Sequence, residues 1–133
     1  MKKLLFIIAI SQLLLAAGAH ADELVVIGNS SAASLTKDQV SDLFLGKSQG
    51  MRLIDQPASA PIKAAFYQRV TGHDLSQVKA TWSRLVFTGK ATPPKELPDS
   101  AAVKKAVAAD PKAIGYIEKS AVDGSVKVVL DLK

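Results

Sequence analysis

The 133-residue chain has no cysteine. That excludes a disulfide framework, thiol catalysis and zinc-thiolate sites, and it leaves packing alone to hold the core. Histidine is scarce as well: His20 lies near the start and His73 follows a glycine, with no second histidine beside either to share a metal. His73 reads as a solvated turn residue. No Ser-His-Asp set is completed from His73 alone, so the residues imply no catalytic group, no metal and no cofactor, and the chain does not read as an enzyme. Seven aromatics and basic residues with no run longer than Lys104-Lys105 supply neither a base-stacking platform nor a phosphate-tracking stripe, which argues against nucleic acid.

What is present begins with Lys2-Lys3, an apolar run over Leu4–Leu15 broken only by Ser11 and Gln12, and small residues at Ala19 and Ala21. This is the pattern of a cleavable secretory signal peptide over residues 1–21. The run is too short for a spanning helix, which needs roughly 20 apolar residues. Cleavage after Ala21 would leave 112 of the 133 residues, enough for one domain with a modest core over 22–133. The basic count would fall from 17 to 15 against 12 acidic residues, a net charge of +3, which suits an anionic small molecule or surface. With no lipobox cysteine, the expected location is the periplasm, in soluble form.

Leu24–Ile27, an unbroken apolar run stopped by Gly28-Asn29, predicts a strand buried on both faces. Thr36 with Gln39 predicts a capping box opening a helix whose Val40, Leu43 and Phe44 face inward and which Gly46 ends. A strand at Leu53-Ile54, a turn from Pro57 to Pro61 and a helix carrying Ile62, Ala65, Phe66 and Val70 inward follow. Asp74 or Ser76 caps a third helix with Leu75, Val78, Trp82, Leu85 and Val86 on its apolar face. Trp82 is expected to anchor the core. Lys90–Pro98, with three prolines, is expected to be a loop without regular structure. Asp99 or Ser100 caps a fourth helix, Ile114–Ile117 gives a strand, and Asp123-Gly124 predicts a hairpin-type turn before an alternating strand with Val126, Val128, Leu130 and Leu132 on one face. Helices between strands imply crossover connections: a small three-layer α/β domain with a mainly parallel sheet.

In such a domain ligands sit beyond the carboxyl ends of strands, where amides at a helix N-terminus bind anions. Ser59 and the backbone at Ala60, Ile62 and Lys63 occupy that position after Leu53-Ile54; the other reading of Ser59 is a cap for its own helix. Asn29 and Ser30, after the first strand, are a second candidate, with turn formation as the alternative. Gly46-Lys47-Ser48 is not a phosphate loop, because Ser41 stands where the motif needs its first glycine and the segment ends a helix instead of opening one.

Three segments in fixed order, TKDQVSDLFLGK at Thr36–Lys47, QPASAPIKAAF at Gln56–Phe66 and DPKAIGYI at Asp110–Ile117, resemble one lobe of the phosphate-binding subunit of bacterial phosphate ABC transporters, in the type 2 periplasmic-binding-protein superfamily. The similarity runs from the first strand to Val128 and corresponds to the second lobe of the clamshell. It implies a periplasmic solute-binding-type protein for phosphate or another small oxyanion, with an ABC permease or an envelope sensor protein as partner and a homodimer as one way to complete a half-site. The alternative is an envelope interaction, sensor or accessory module that keeps the lobe fold and has lost ligand capture. In the family the turn carries an arginine followed by Ser-Gly-Thr; here Asp55 stands in the arginine's place, Ser59 is kept, and Ala60 and Pro61 replace glycine and threonine. On this alignment Asp55 repels an anion, and arginine at that position is expected to raise phosphate affinity.

Overall fold

The computed structural model describes residues 23–132; the signal-peptide reading lies outside them. Five strands form one sheet in the order β3-β2-β4-β1-β5: β1 Leu24–Asn29, β2 Arg52–Asp55, β3 Lys95–Glu96, β4 Ala113–Glu118 and β5 Val126–Leu132. Helices α1 Lys37–Phe44, α2 Pro61–Thr71, α3 Leu75–Phe87 and α4 Ser100–Ala108 connect them. β2 pairs in parallel with both β3 and β4, whereas β1 pairs antiparallel with β4 and β5. Four strands therefore point one way and β1 points the other.

The sheet has helices on both faces. Leu24 and Val26 of β1 belong to one apolar cluster with Val40 and Phe44 of α1, Phe66 and Tyr67 of α2, and Val78 and Trp82 of α3. Val25 and Ile27 project to the opposite face, where Val103 and Val107 of α4 cover them. An alternating strand buried on both sides is what the unbroken Leu24–Ile27 run requires. Phe44, Phe66 and Trp82 are all buried. Phe66 stacks on Tyr116 with ring centroids 3.9 Å apart and meets Phe44 edge-on at 4.8 Å. The Trp82 indole N–H donates to the Phe44 carbonyl at 2.8 Å, tying α3 to the end of α1.

The caps follow the sequence. Thr36 and Gln39 exchange the two capping-box hydrogen bonds, as do Asp74 and Gln77 at the start of α3, and Asp99 accepts from the Ala102 amide at the start of α4. At the end of α1, Gly46 adopts φ 75°, and the Lys47 amide reaches back to the Asp42 carbonyl at 2.8 Å. A second glycine has a packing reason: a Cβ on Gly115 would lie 2.6 Å from Val103 Cγ1, so α4 sits against β4 at a distance only glycine permits.

Four expectations need correction. Lys95–Glu96, inside the proline-rich loop, forms a two-residue strand because Ile54 and Asp55 of β2 offer it a free edge. Asp123-Gly124 does not make a hairpin, since β4 and β5 lie on opposite sides of β1 and the chain must return across the sheet through a 3-10 turn at Lys119–Ala121. The β5 alternation breaks at a bulge where the register slips between Val26 and Ile27. As a result Val126 and Val128 pack on the α4 side while Val129, Leu130 and Leu132 pack on the other. Finally, Val86 is 49% exposed, because the apolar stripe of α3 reaches the core through Val78 and Trp82 and, in part, Leu75 and Leu85.

Candidate functional site

β2 ends at Asp55, and the pleat sends consecutive side chains to opposite faces. Ile54 joins the α4-side cluster, so Asp55 turns towards α2. There it is 3% exposed. Its Oδ2 accepts a hydrogen bond from the Tyr67 hydroxyl at 2.6 Å, and its Oδ1 accepts from the Tyr116 hydroxyl and from the Gln56 amide, the latter at 2.8 Å. Lys63 Nζ lies 3.9 Å from Oδ2 and 3.0 Å from Glu96 Oε2. Burial, then the adjoining Asp55 charge, pushes both tyrosine hydroxyls well above their ordinary pKa. Asp55 is thus a buried carboxylate held by three hydrogen bonds beside the first turn of α2. An arginine here would replace a buried carboxylate and forfeit its three hydrogen bonds.

Gln56 follows, 2% exposed. Its Nε2 donates to Ser100 Oγ at 3.1 Å and to the Tyr116 carbonyl at 3.0 Å, while Ser100 Oγ donates onward to Glu118. One amide thereby joins the end of β2, the start of α4 and β4. From Gln56 the chain turns through Pro57–Ala60, closed by a 2.9 Å bond from the Ala60 amide to the Pro57 carbonyl. Ala60 is the α2 N-cap and makes no side-chain capping bond, which corrects the reading of Ser59 as a cap. Ser59 is exposed and its hydroxyl has no hydrogen bond among the described residues.

This turn forms a ridge between two cavities at the carboxyl ends of β2 and β4. On one side Ala60, Pro61 and Ile62 at the start of α2 face Ser100 at the start of α4 across a crevice of about 650 Å³ that also holds Gln56, Glu118 and Arg69. On the other side Lys63 stands with Asp55 and Tyr67 on the floor of a groove of about 820 Å³. Pro61 has no N–H, and the Lys63 amide already donates to the Ala60 carbonyl at 3.0 Å. The amides of Ser59 and Ile62 make no hydrogen bond among the described residues and are the donors left to this helix end.

The candidate residues are therefore only partly brought together. Ser59, Ala60 and Ile62 share the α2 end; Lys63 lies one side-chain direction away, in the groove. Asn29 and Ser30 are excluded from the same site by the direction of β1. Gly28 lies opposite Ile114, and Leu53 is also paired with Ile114, so Asn29 ends about 13 Å, or four strand residues, below the level of Gln56. Asn29 instead builds a turn: its Oδ1 accepts from Ser31, and its Nδ2 donates to the Ala108 carbonyl at 3.0 Å. The residues that sequence reasoning missed are Gln56 and Ser100, which bond each other, and Tyr67, which bonds Asp55; both contacts depend on strand order and have no local signature. Among the described residues no cluster of three or more His, Cys, Asp or Glu could hold a metal ion.

No protein-family model matches the chain, and neither does any curated protein. Solved structures do match. A Clostridium perfringens protein assigned as a phosphate ABC transporter substrate-binding protein, solved with bound phosphate, superposes with a TM-score of 0.66 at 22% identity, over 81% of this chain and 44% of that one. An ABC-type phosphate transport receptor from Vibrio cholerae gives 0.65 at 20% identity, over 84% and 49%, and PstS from Borrelia burgdorferi gives 0.60 at 12%, over 82% and 47%. The chain spans under half the length of each of these structures. In fold, therefore, the chain is a single lobe of the kind found in phosphate ABC transporter substrate-binding proteins.

Proposed function

We propose that this chain is a periplasmic solute-binding-type protein, not an enzyme, that takes phosphate or a similar small oxyanion at the N-terminus of α2, exported by the segment over residues 1–21 and working with an ABC permease. The observation that carries the reading is the convergence of the α2 and α4 N-termini on one crevice at the carboxyl ends of β2 and β4, where the Ile62 amide makes no hydrogen bond among the described residues, with the exposed Ser59 on the turn beside it. Two helix ends present partial positive charge to the same space. The fold shared with phosphate-binding proteins supports the choice of anion.

Glu118 on the crevice wall selects among forms of the anion. A carboxylate repels a fully ionised oxyanion but accepts a hydrogen bond from a protonated one, so hydrogen phosphate suits the crevice better than sulfate. A single lobe offers an open half-site, and its affinity should be low, about millimolar, or roughly −4 kcal/mol. A homodimer is one way to cover it. Calorimetric titration of residues 22–133 with phosphate and with sulfate tests the reading. Saturable phosphate heat, weakened by salt and stronger than that of sulfate, supports it. A flat titration with both anions rejects it and favours the second reading, an envelope interaction, sensor or accessory module with the same fold, for which the exposed Val86-Phe87 pair at the end of α3 speaks.

A further inference from the structure

Phe87, the last residue of α3, is 92% exposed, and Val86 beside it is 49% exposed. Most exposed apolar side chains stand singly and need no explanation, but these two border a groove of about 820 Å³ whose walls are Leu75, Trp82, Pro93 and Pro94. A protruding aromatic and a recess of matching chemistry thus occupy one face of the same molecule. That is the condition for a two-fold contact, in which one patch must be both donor and recipient. The charges obey it too. Lys79, exposed on α3 and without an ion-pair partner among the described residues, lines the groove together with Glu96 of β3, whose side chain stays 54% exposed although its Oε2 lies 3.0 Å from Lys63 Nζ. A two-fold axis through the groove sets each Lys79 against the partner's Glu96.

We infer that this face is the contact surface between two copies of the chain: the partner's Phe87 enters the groove, Lys79 and Glu96 pair reciprocally on its rim, and the insertion closes over the floor formed by Asp55, Lys63 and Tyr67. This goes beyond the reading above: the surface is the groove and not the oxyanion crevice, and it uses no property of that crevice. Aromatic anchors entering pockets ringed by polar groups are where association energy concentrates. The face also lies at the carboxyl ends of β2 and β3, on the other side of the Pro57–Ala60 ridge from the crevice.

Sedimentation velocity without phosphate, on residues 22–133 over a concentration series reaching about 100 µM, where a Kd of about 10 µM leaves most chains paired, tests this directly. The parent is expected to form a dimer. Phe87→Ser, which removes no core contact, should weaken association at least about tenfold while circular dichroism and thermal midpoint stay those of the parent. Lys79→Glu and Glu96→Lys should each weaken it alone and should associate with each other when mixed, a rescue that a general loss of stability would not produce. A parent that stays monomeric throughout the series, a dimer untouched by Phe87→Ser, or single charge variants that fail to recover on mixing would each overturn the inference. Because phosphate is absent, the result is separate from the fate of the oxyanion reading.

Discussion

The Asp55 carboxylate accepts from two tyrosine hydroxyls and one backbone amide while almost wholly removed from water. A buried charge of this kind is tolerable only while every partner remains. Asp55→Ala leaves two buried hydroxyls without an acceptor and should cost about 3–5 kcal/mol in urea unfolding; Asp55→Arg should cost at least as much and give no gain in phosphate binding. A loss under about 1 kcal/mol would show that the carboxylate is not the joint described. The tyrosines add a pH signature. Both hydroxyls hold their protons to higher pH in the fold than in the unfolded chain. Their contribution is therefore complete below about pH 10, and it declines above that as the unfolded chain ionises, by about 1.4 kcal/mol per pH unit for each tyrosine. Tyr67→Phe should flatten that decline by roughly half when stability is followed from pH 9 to 11. An unchanged slope would contradict the assignment. None of this was visible in sequence, where Asp55 looked like a charge facing the ligand, because the side of the strand it occupies depends on which neighbour Ile54 packs against.

At the level of elements, sequence reading succeeded where the signal is local. The capping box at Thr36, the cap at Asp74, one of the two residues the sequence offered, and the glycine stop at Gly46 each depend on residues within one turn, and each is present. It failed where direction and pairing decide. Nothing in Leu24–Ile27 states that β1 runs against its neighbours, yet that single fact moves Asn29 and Ser30 to the far end of the sheet. The β5 bulge and the short strand β3 are also products of pairing, not of composition. Trp82 shows a local expectation with tertiary weight: its ring fills the cluster between α1, α2 and α3, and its N–H holds α1. Trp82→Ala should destabilise by about 3–5 kcal/mol. Trp82→Phe, which keeps most of the apolar surface and loses the hydrogen bond, should cost less, about 1–2 kcal/mol. Equal losses in a denaturant titration would mean that the ring volume contributes nothing, against the packing seen. Gly115→Ala, driven into Val103, should cost about 1–3 kcal/mol by overpacking.

For the whole molecule, the three-layer lobe places the proposed site at one end, where β2 and β4 finish and α2 and α4 begin. The segment order from Thr36 to Ile117 carried the fold likeness; the placement of the site needed the sheet. Within that end the ridge over Pro57–Ala60 separates the crevice between the α2 and α4 N-termini from the groove beside α3, so one edge of the lobe carries two recesses with different linings. The measurement that tests the central claim most directly is a residue-resolved phosphate titration of residues 22–133 by ¹⁵N–¹H NMR. Saturable shifts of the Ser59 and Ile62 amides are expected, with those of Asn29 and Ser30 unmoved. Shifts centred on Asn29 and Ser30, or no saturable shift at the start of α2, would contradict the claim.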